Sequence, residues 1–184
     1  MRVKSRWNKT DKPHTPDEIA SALAFILWRI ATNGLLELEN EGFQTDTQLQ
    51  RLTAIAEFMA FLVHVSDRLA ATQMGDSERA QFVNGLGRYV ADTVSDNIAD
   101  VLGEGDYRAS FIDTLNERMG EYADYGFSAS DGPDFGFLRQ FGQRVTATMG
   151  PRDSRWILEQ IMEVEAPESV QTLRKAMWNL FSWT

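Results

Sequence analysis

The chain has 184 residues, no cysteine and a formal net charge of −9. Hydrophobic residues make up 43% and charged residues 24%, values typical of a globular protein, which excludes disorder over the whole length. The lack of cysteine excludes disulfides, thiolate metal sites, iron–sulfur clusters and a cysteine nucleophile, and it fits a reducing compartment. The length is that of one domain.

Positive charge is concentrated at the start of the chain. Residues 1–13 hold five basic side chains against Asp11, whereas the remaining chain holds 13 basic and 26 acidic residues. We therefore predict a basic, flexible tail over residues 1–14 and a single domain over residues 15–184. Because the acidic domain would repel a phosphate backbone, no nucleic-acid partner is expected.

The longest apolar stretch, residues 19–30, contains Arg29 and is too short for a membrane span, which needs about 20 residues. The start of the chain also lacks the apolar core of a signal peptide. These two features predict a cytoplasmic protein with no membrane span.

Apolar residues recur with the 3.6-residue period of α-helices through most of the chain. Thr15 and Glu18 form a capping box for the first helix, and Gly34 is expected to end that helix. The second helix is predicted over residues 47–74. It carries large apolar residues on one face and small residues on the other, which places it at the centre of the fold or at a dimer seam.

Glycine, proline and capping residues divide the rest of the chain. Ser77 and Gly103 are expected to bound the third helix, and a loop rich in turn residues, 126–136, follows the fourth. Asp153 is expected to cap a sixth helix, and Pro167 to open a separate seventh helix. The predicted fold is a single-domain, all-α bundle of six or seven helices around a central apolar second helix.

Three aspartates on the third helix are candidate metal ligands. Asp92, Asp96 and Asp100 follow at intervals of four residues, which places them on one ribbon of the helix. Carboxylate oxygens are the ligands that Mg²⁺ prefers, and helical enzymes that cleave nucleotide diphosphates hold the metal in this way. The same ribbon lies opposite the apolar stripe, so a solvated acidic face is the favoured interpretation.

The mostly apolar second helix carries a second candidate cluster. Glu57 and His64 are one heptad apart, and His64 and Asp67 are three residues apart, so their side chains share a face or touch. Carboxylate-bridged metal centres in helical bundles use Glu and His from facing helices, and a homodimer would supply a second copy. A buried polar cluster or an interface ion pair is favoured, with a divalent metal as the alternative.

The C-terminal segment, residues 174–184, places Trp178 and Trp183 beside Lys175. This composition allows a helix that lies on a membrane surface. Packing against the body of the protein, or across a dimer, is favoured because the segment has only two basic residues.

Three successive segments, LVHVSDRLA, SERAQFV and NERMGEYADY, together form a helix–Asp-Arg–helix–Glu-Arg-x-x-x-Tyr pattern. In this pattern, residues 55–145 resemble an uncharacterised group of bacterial all-helical proteins. The resemblance implies an all-α fold in a bacterial cytoplasm and brings no activity and no site residues.

The chain lacks phosphate-binding glycine motifs, a nucleophile elbow and a zinc-ligand set. We therefore expect a non-enzymatic interaction or assembly protein that forms a homodimer through its first two helices or its last helix and contacts an unidentified protein partner. The alternative is a metal-dependent helical hydrolase or a carboxylate-bridged metal protein. Its acids would be Glu57, Asp67 and the aspartates of the third helix, with His64 as a ligand or a base.

Overall fold

A computed structural model describes residues 13–183, so that most of the predicted basic tail lies outside the described residues. This part of the chain is all-α, as predicted, apart from one short β-hairpin between the fourth and fifth helices, whose two strands have two residues each. The elements are α1 Pro16–Asn40, α2 Gln48–Ala71, α3 Asp76–Leu102, α4 Tyr107–Ala123, β1 Phe127–Ser128, β2 Gly132–Pro133, α5 Phe135–Met149, α6 Ser154–Gln160 and α7 Ala166–Phe181.

Helix α2 lies at the centre of the bundle and contacts α1, α3, α4, α5 and α7. Every residue from 57 to 66 is buried. The ring of Phe61 stacks on Phe141 of α5, with centroids 4.0 Å apart, and Phe58 meets the same ring edge-on at 5.0 Å. The predicted central position of the second helix is confirmed, because its neighbours within one chain already surround it.

Helix α1 continues through Gly34 to Asn40, so the prediction that Gly34 ends the helix is wrong. Gly34 is buried against Phe58, and a Cβ atom at this position would lie 2.7 Å from Cε1 of that ring. The glycine serves close packing between α1 and α2 rather than termination. The sequence around Gly34 does not distinguish a glycine that ends a helix from one that allows close packing.

The predicted break between a sixth and a seventh helix is also wrong. Helix α6 passes through one wide turn of π-helix, Ile161–Glu165, directly into α7, and the N–H of Ala166 donates to the carbonyl of Ile161. Pro167 lies just after this π turn. A proline lacks an N–H and its ring would clash with the carbonyl four residues earlier in a regular helix, and the wider turn relieves that contact.

Two predicted helix starts differ in detail from the structure. Asp153 precedes α6 with a φ of +57° and its side chain makes no capping hydrogen bond. Helix α3 starts one residue before Ser77, after Gly75. Its predicted end at Gly103 is confirmed, since that residue has a φ of +86°, which glycine adopts without strain.

Helix α1 is long and apolar enough to span a membrane by length and composition, and half of its most apolar window is buried inside the bundle. It packs against α2, α3 and α7. This is the behaviour of a core helix, which passes the same composition test as a membrane span.

The C-terminal aromatic residues pack against the body of the protein. Trp183 stacks on Phe181 at 4.5 Å and meets Trp178 edge-on at 5.0 Å, and Phe181 in turn contacts Phe82 of α3 at 5.1 Å. This geometry supports the favoured interpretation, packing against the body of the protein, over a helix that lies on a membrane surface.

Substituting Gly34→Ala should lower the free energy of unfolding by about 1–3 kcal/mol, because the new methyl group overlaps a fully buried ring. Gly120→Ala is the matched control: Gly120 lies in α4, is exposed, and has open space around its Cα. That change should raise stability by up to about 1 kcal/mol through helix propensity. Urea unfolding of both variants tests the difference, and equal effects would contradict a packing role for Gly34.

Candidate functional site

The three candidate residues of α2 each pair with an arginine. Glu57, His64 and Asp67, which the sequence groups as one cluster, have three different partners in the structure. Two of these arginines come from neighbouring helices, and the third, Arg68, reaches from α2 to the end of α4. The favoured prediction of a buried polar cluster matches this arrangement.

Glu57 forms a buried, two-pronged ion pair with Arg118 of α4. The Nε and Nη2 atoms of Arg118 donate to the two carboxylate oxygens at 2.8 Å each. This hydrogen bonding raises the pKa of Arg118 above its ordinary value. Arg118 also contacts Glu117 at 2.9 Å, and Glu121 continues the network to Arg144 of α5. The network therefore joins α2, α4 and α5.

His64 accepts a hydrogen bond at its Nε2 atom from Nε of Arg68, at 3.0 Å. Its proton is therefore on Nδ1, which is buried and has no hydrogen-bond partner among residues 13–183. Burial, and then the charge of Arg68, lower the pKa of His64 to about 4. The imidazole is neutral at pH 7 and lies among aromatic rings, with Tyr122 and Phe137 nearest.

Arg68 binds the end of α4. Its Nη2 atom donates to the carbonyl oxygens of Tyr122, Ala123 and Tyr125 at 3.3, 3.1 and 3.0 Å. The carbonyl of Tyr122 also accepts from the N–H of Tyr125 at 3.2 Å. The last carbonyls of a helix lack the regular N–H partner four residues further on, and the negative end of the helix dipole attracts a cation. Arg68 of α2 therefore caps the C-terminal end of α4.

The remaining candidate carboxylates are dispersed. Asp67 pairs with Arg79 of α3 through two hydrogen bonds of 2.6 and 2.9 Å, and Asp92 pairs with Arg108 at 2.6 Å. Asp96 and Asp100 are exposed on α3. In the part of the chain that the structure describes, no three His, Asp or Glu side chains come close enough together to hold a metal ion.

A different residue, Glu165, combines burial with an open space. It is the last residue of the π turn and is 3% exposed, although it is a carboxylate. Gln160 donates a hydrogen bond to its Oε1 atom at 3.1 Å. Burial raises the pKa of Glu165, and the negative charges of Glu168, Glu37 and Glu41 raise it further.

Glu165 lines a cleft of about 570 Å³ between α1 and α7. Arg29 and Thr32 come from α1, Ser169 comes from α7, and Arg51 reaches in from α2. This volume lies within the range of about 300–1,000 Å³ that small-molecule sites occupy. The cleft joins a buried acid to a space that a ligand can enter.

The sequence reasoning missed both Glu165 and the role of Arg118. Arg118 contacts the neighbouring Glu117, but its main partner, Glu57, lies 61 residues earlier in the chain. The signal for Glu165 was a carboxylate at a core position of the last helix, directly before Pro167. π turns occur often at functional sites, because they displace one residue from the regular helix surface.

No protein-family model, curated protein or solved structure matches the chain. The resemblance of residues 55–145 to a bacterial helical group therefore stays a prediction.

Removing one partner of the buried Glu57–Arg118 pair should be costly. Arg118→Met leaves a buried carboxylate without its cation, and we expect a loss of about 3–5 kcal/mol in the free energy of unfolding. The double variant with Glu57→Met removes both charges and should recover a large part of that loss. Chemical denaturation of the native chain, of each single variant and of the double variant measures the coupling, and additive losses would count against a direct pair.

The buried His64 should make stability depend on pH. The unfolded chain takes up a proton below pH 6.5, whereas folded His64 resists protonation until about pH 4, so stability falls as the pH drops through this window. The contribution is at most about 3 kcal/mol. His64→Gln keeps an acceptor for Arg68 without titrating, and its unfolding free energy should fall less between pH 7 and pH 4.5. Identical slopes for both proteins would contradict the prediction.

Proposed function

We propose that the protein is a non-enzymatic interaction or assembly protein of the bacterial cytoplasm and that it works as a homodimer of helical bundles. The three candidate residues of α2 support this proposal because their contacts are structural ones. Glu57, His64 and Asp67 are engaged with arginines, and two of them are buried in the core. A general acid or base must come within hydrogen-bond reach of its substrate; burial prevents this for Glu57 and His64, and both carboxylate oxygens of Asp67 bind Arg79.

One observation carries the proposal: two large apolar side chains are exposed at the same end of the bundle. Leu49, in the first turn of α2, is 58% exposed, and Trp156, in α6, is 59% exposed. The turn before α6 lies against the start of α2, where Arg152 and Asp46 form an ion pair at 3.6 Å. Tryptophan is enriched at the energetically dominant positions of protein interfaces.

The first test is the mass of the purified full chain in solution. Light scattering and native mass spectrometry should give twice the chain mass of 20.8 kDa. Trp156→Lys should weaken the dimer by about 30-fold or more, the effect of losing a dominant interface residue, and Leu49→Lys should act in the same direction.

Phe135→Lys is the matched control. Phe135 is the most exposed large apolar residue described, at 71%, and it lies at the opposite end of α5 from the turn that meets α2. This variant should stay dimeric. A native protein that remains monomeric at about 100 μM, far above the Kd of a stable interface, would contradict the assembly role.

A further inference from the structure

The cleft between α1 and α7 has an unbalanced charge at its buried end. Glu165 has one hydrogen-bond partner among residues 13–183, the neutral amide of Gln160, and no Lys, Arg or His nitrogen within 4 Å. A carboxylate that leaves water without a countercharge destabilises the folded protein. A glutamine or leucine at this position would destabilise the folded protein less than Glu165 does.

The surroundings of Glu165 are themselves negative. Glu37, Glu41 and Glu168 all act on it as negative charges and raise its pKa. The guanidinium of Arg51 lines the cleft but already binds Glu39, with Nε and Oε1 2.9 Å apart. The other lining guanidinium, Arg29, is exposed to solvent and does not reach Glu165.

The walls of the cleft are partly apolar. Ile26, Ile30 and Leu36 of α1 line it, and Leu36 is 45% exposed. The hydroxyls of Ser169 and Thr32 also line it. Such walls suit the methylene groups of a short aliphatic chain, and the hydroxyls can accept hydrogen bonds from a positively charged nitrogen.

We propose that this cleft binds a small organic cation, an ammonium or guanidinium group on a short aliphatic stem. The cation pairs with Glu165, and the stem lies along Ile26, Ile30 and Leu36. The ligand provides the countercharge that residues 13–183 do not. The site is independent of the proposed dimer contact, which involves neither Glu165 nor the walls of the cleft.

A bare metal ion fits this cleft less well than an organic cation. Mg²⁺ and Ca²⁺ need several oxygen ligands, and no group of three or more acidic or histidine ligands assembles in residues 13–183. A single buried carboxylate beside a space of about 570 Å³ is instead suited to a cation that carries apolar mass.

The test is a titration of the ¹⁵N-labelled full chain, followed by NMR in phosphate buffer free of amines. The probes are n-butylammonium, n-butylguanidinium and butyrate, which have the same stem and differ in charge. The cations should give saturable shifts confined to residues of α1, the π turn and α7. Dissociation constants of about 1 mM are expected for probes of this size. Butyrate should give no saturable shift.

Two substitutions in the π turn separate the ion pair from general electrostatics. Glu165→Gln should weaken binding of the cations by at least about tenfold, a typical effect of removing a charge-assisted hydrogen bond. Glu163→Gln removes the same charge from an exposed residue two positions earlier and should leave the dissociation constant within about twofold.

A second variant, which blocks the cleft sterically, tests the proposal even if Glu165→Gln fails to fold. Thr172→Trp places a large ring at an exposed position that lines the cleft and should also weaken binding at least about tenfold, since it fills space without touching the core. Circular dichroism and melting curves check that each variant is folded. We expect Glu165→Gln to melt no lower than the native chain at pH 7.5, because it removes a buried charge.

Three results would overturn the proposal: no saturable shift with either cation, equal binding of butyrate, or cation binding that Glu165→Gln and Thr172→Trp leave unchanged. None of these depends on the mass of the protein in solution. The dimer measurements and the titrations can therefore succeed or fail separately.

Discussion

A helix that is surrounded on every side by other helices has to satisfy its polar side chains inside the protein. The middle of helix α2, residues 57–66, is in this position, and the cost of an unpaired buried charge explains the arrangement around it. Glu57 holds Arg118, Asp67 holds Arg79, and Arg68 joins His64 to the end of α4. The residues of α2 that the sequence indicates as candidate metal ligands are thus the ones that fix the positions of α3 and α4 against the core.

Much of the fold could be predicted because helical periodicity and end signals are local properties of the sequence. The capping box at Thr15 and the end of α3 at Gly103 are examples. Gly34 could not be assigned in this way, since its role depends on Phe58, a residue of another helix. The same limit applies to the pair of Glu57 and Arg118, because sequence spacing does not indicate which acid a distant arginine meets.

The candidate cleft was less predictable than the fold, for a physical reason. Its buried carboxylate, Glu165, belongs to a turn whose geometry differs from the regular helix on which spacing arguments rest. The residues facing it come from α1, more than a hundred positions earlier. A buried acid that weakens the fold is also invisible to arguments that look for stabilising patterns, and stability sacrificed in this way is a recurrent feature of binding sites.

The π turn keeps one apolar stripe in register along the whole last helix. Its buried apolar positions advance by four residues from Ile157 to Ile161, by five to Ala166, and by four again to Val170. The step of five is the mark of one residue inserted into an otherwise regular helix, with the apolar stripe preserved on both sides. A chain one residue shorter in this turn could continue the same apolar stripe as a regular α-helix, and it would lack the turn that places an acid against the cleft.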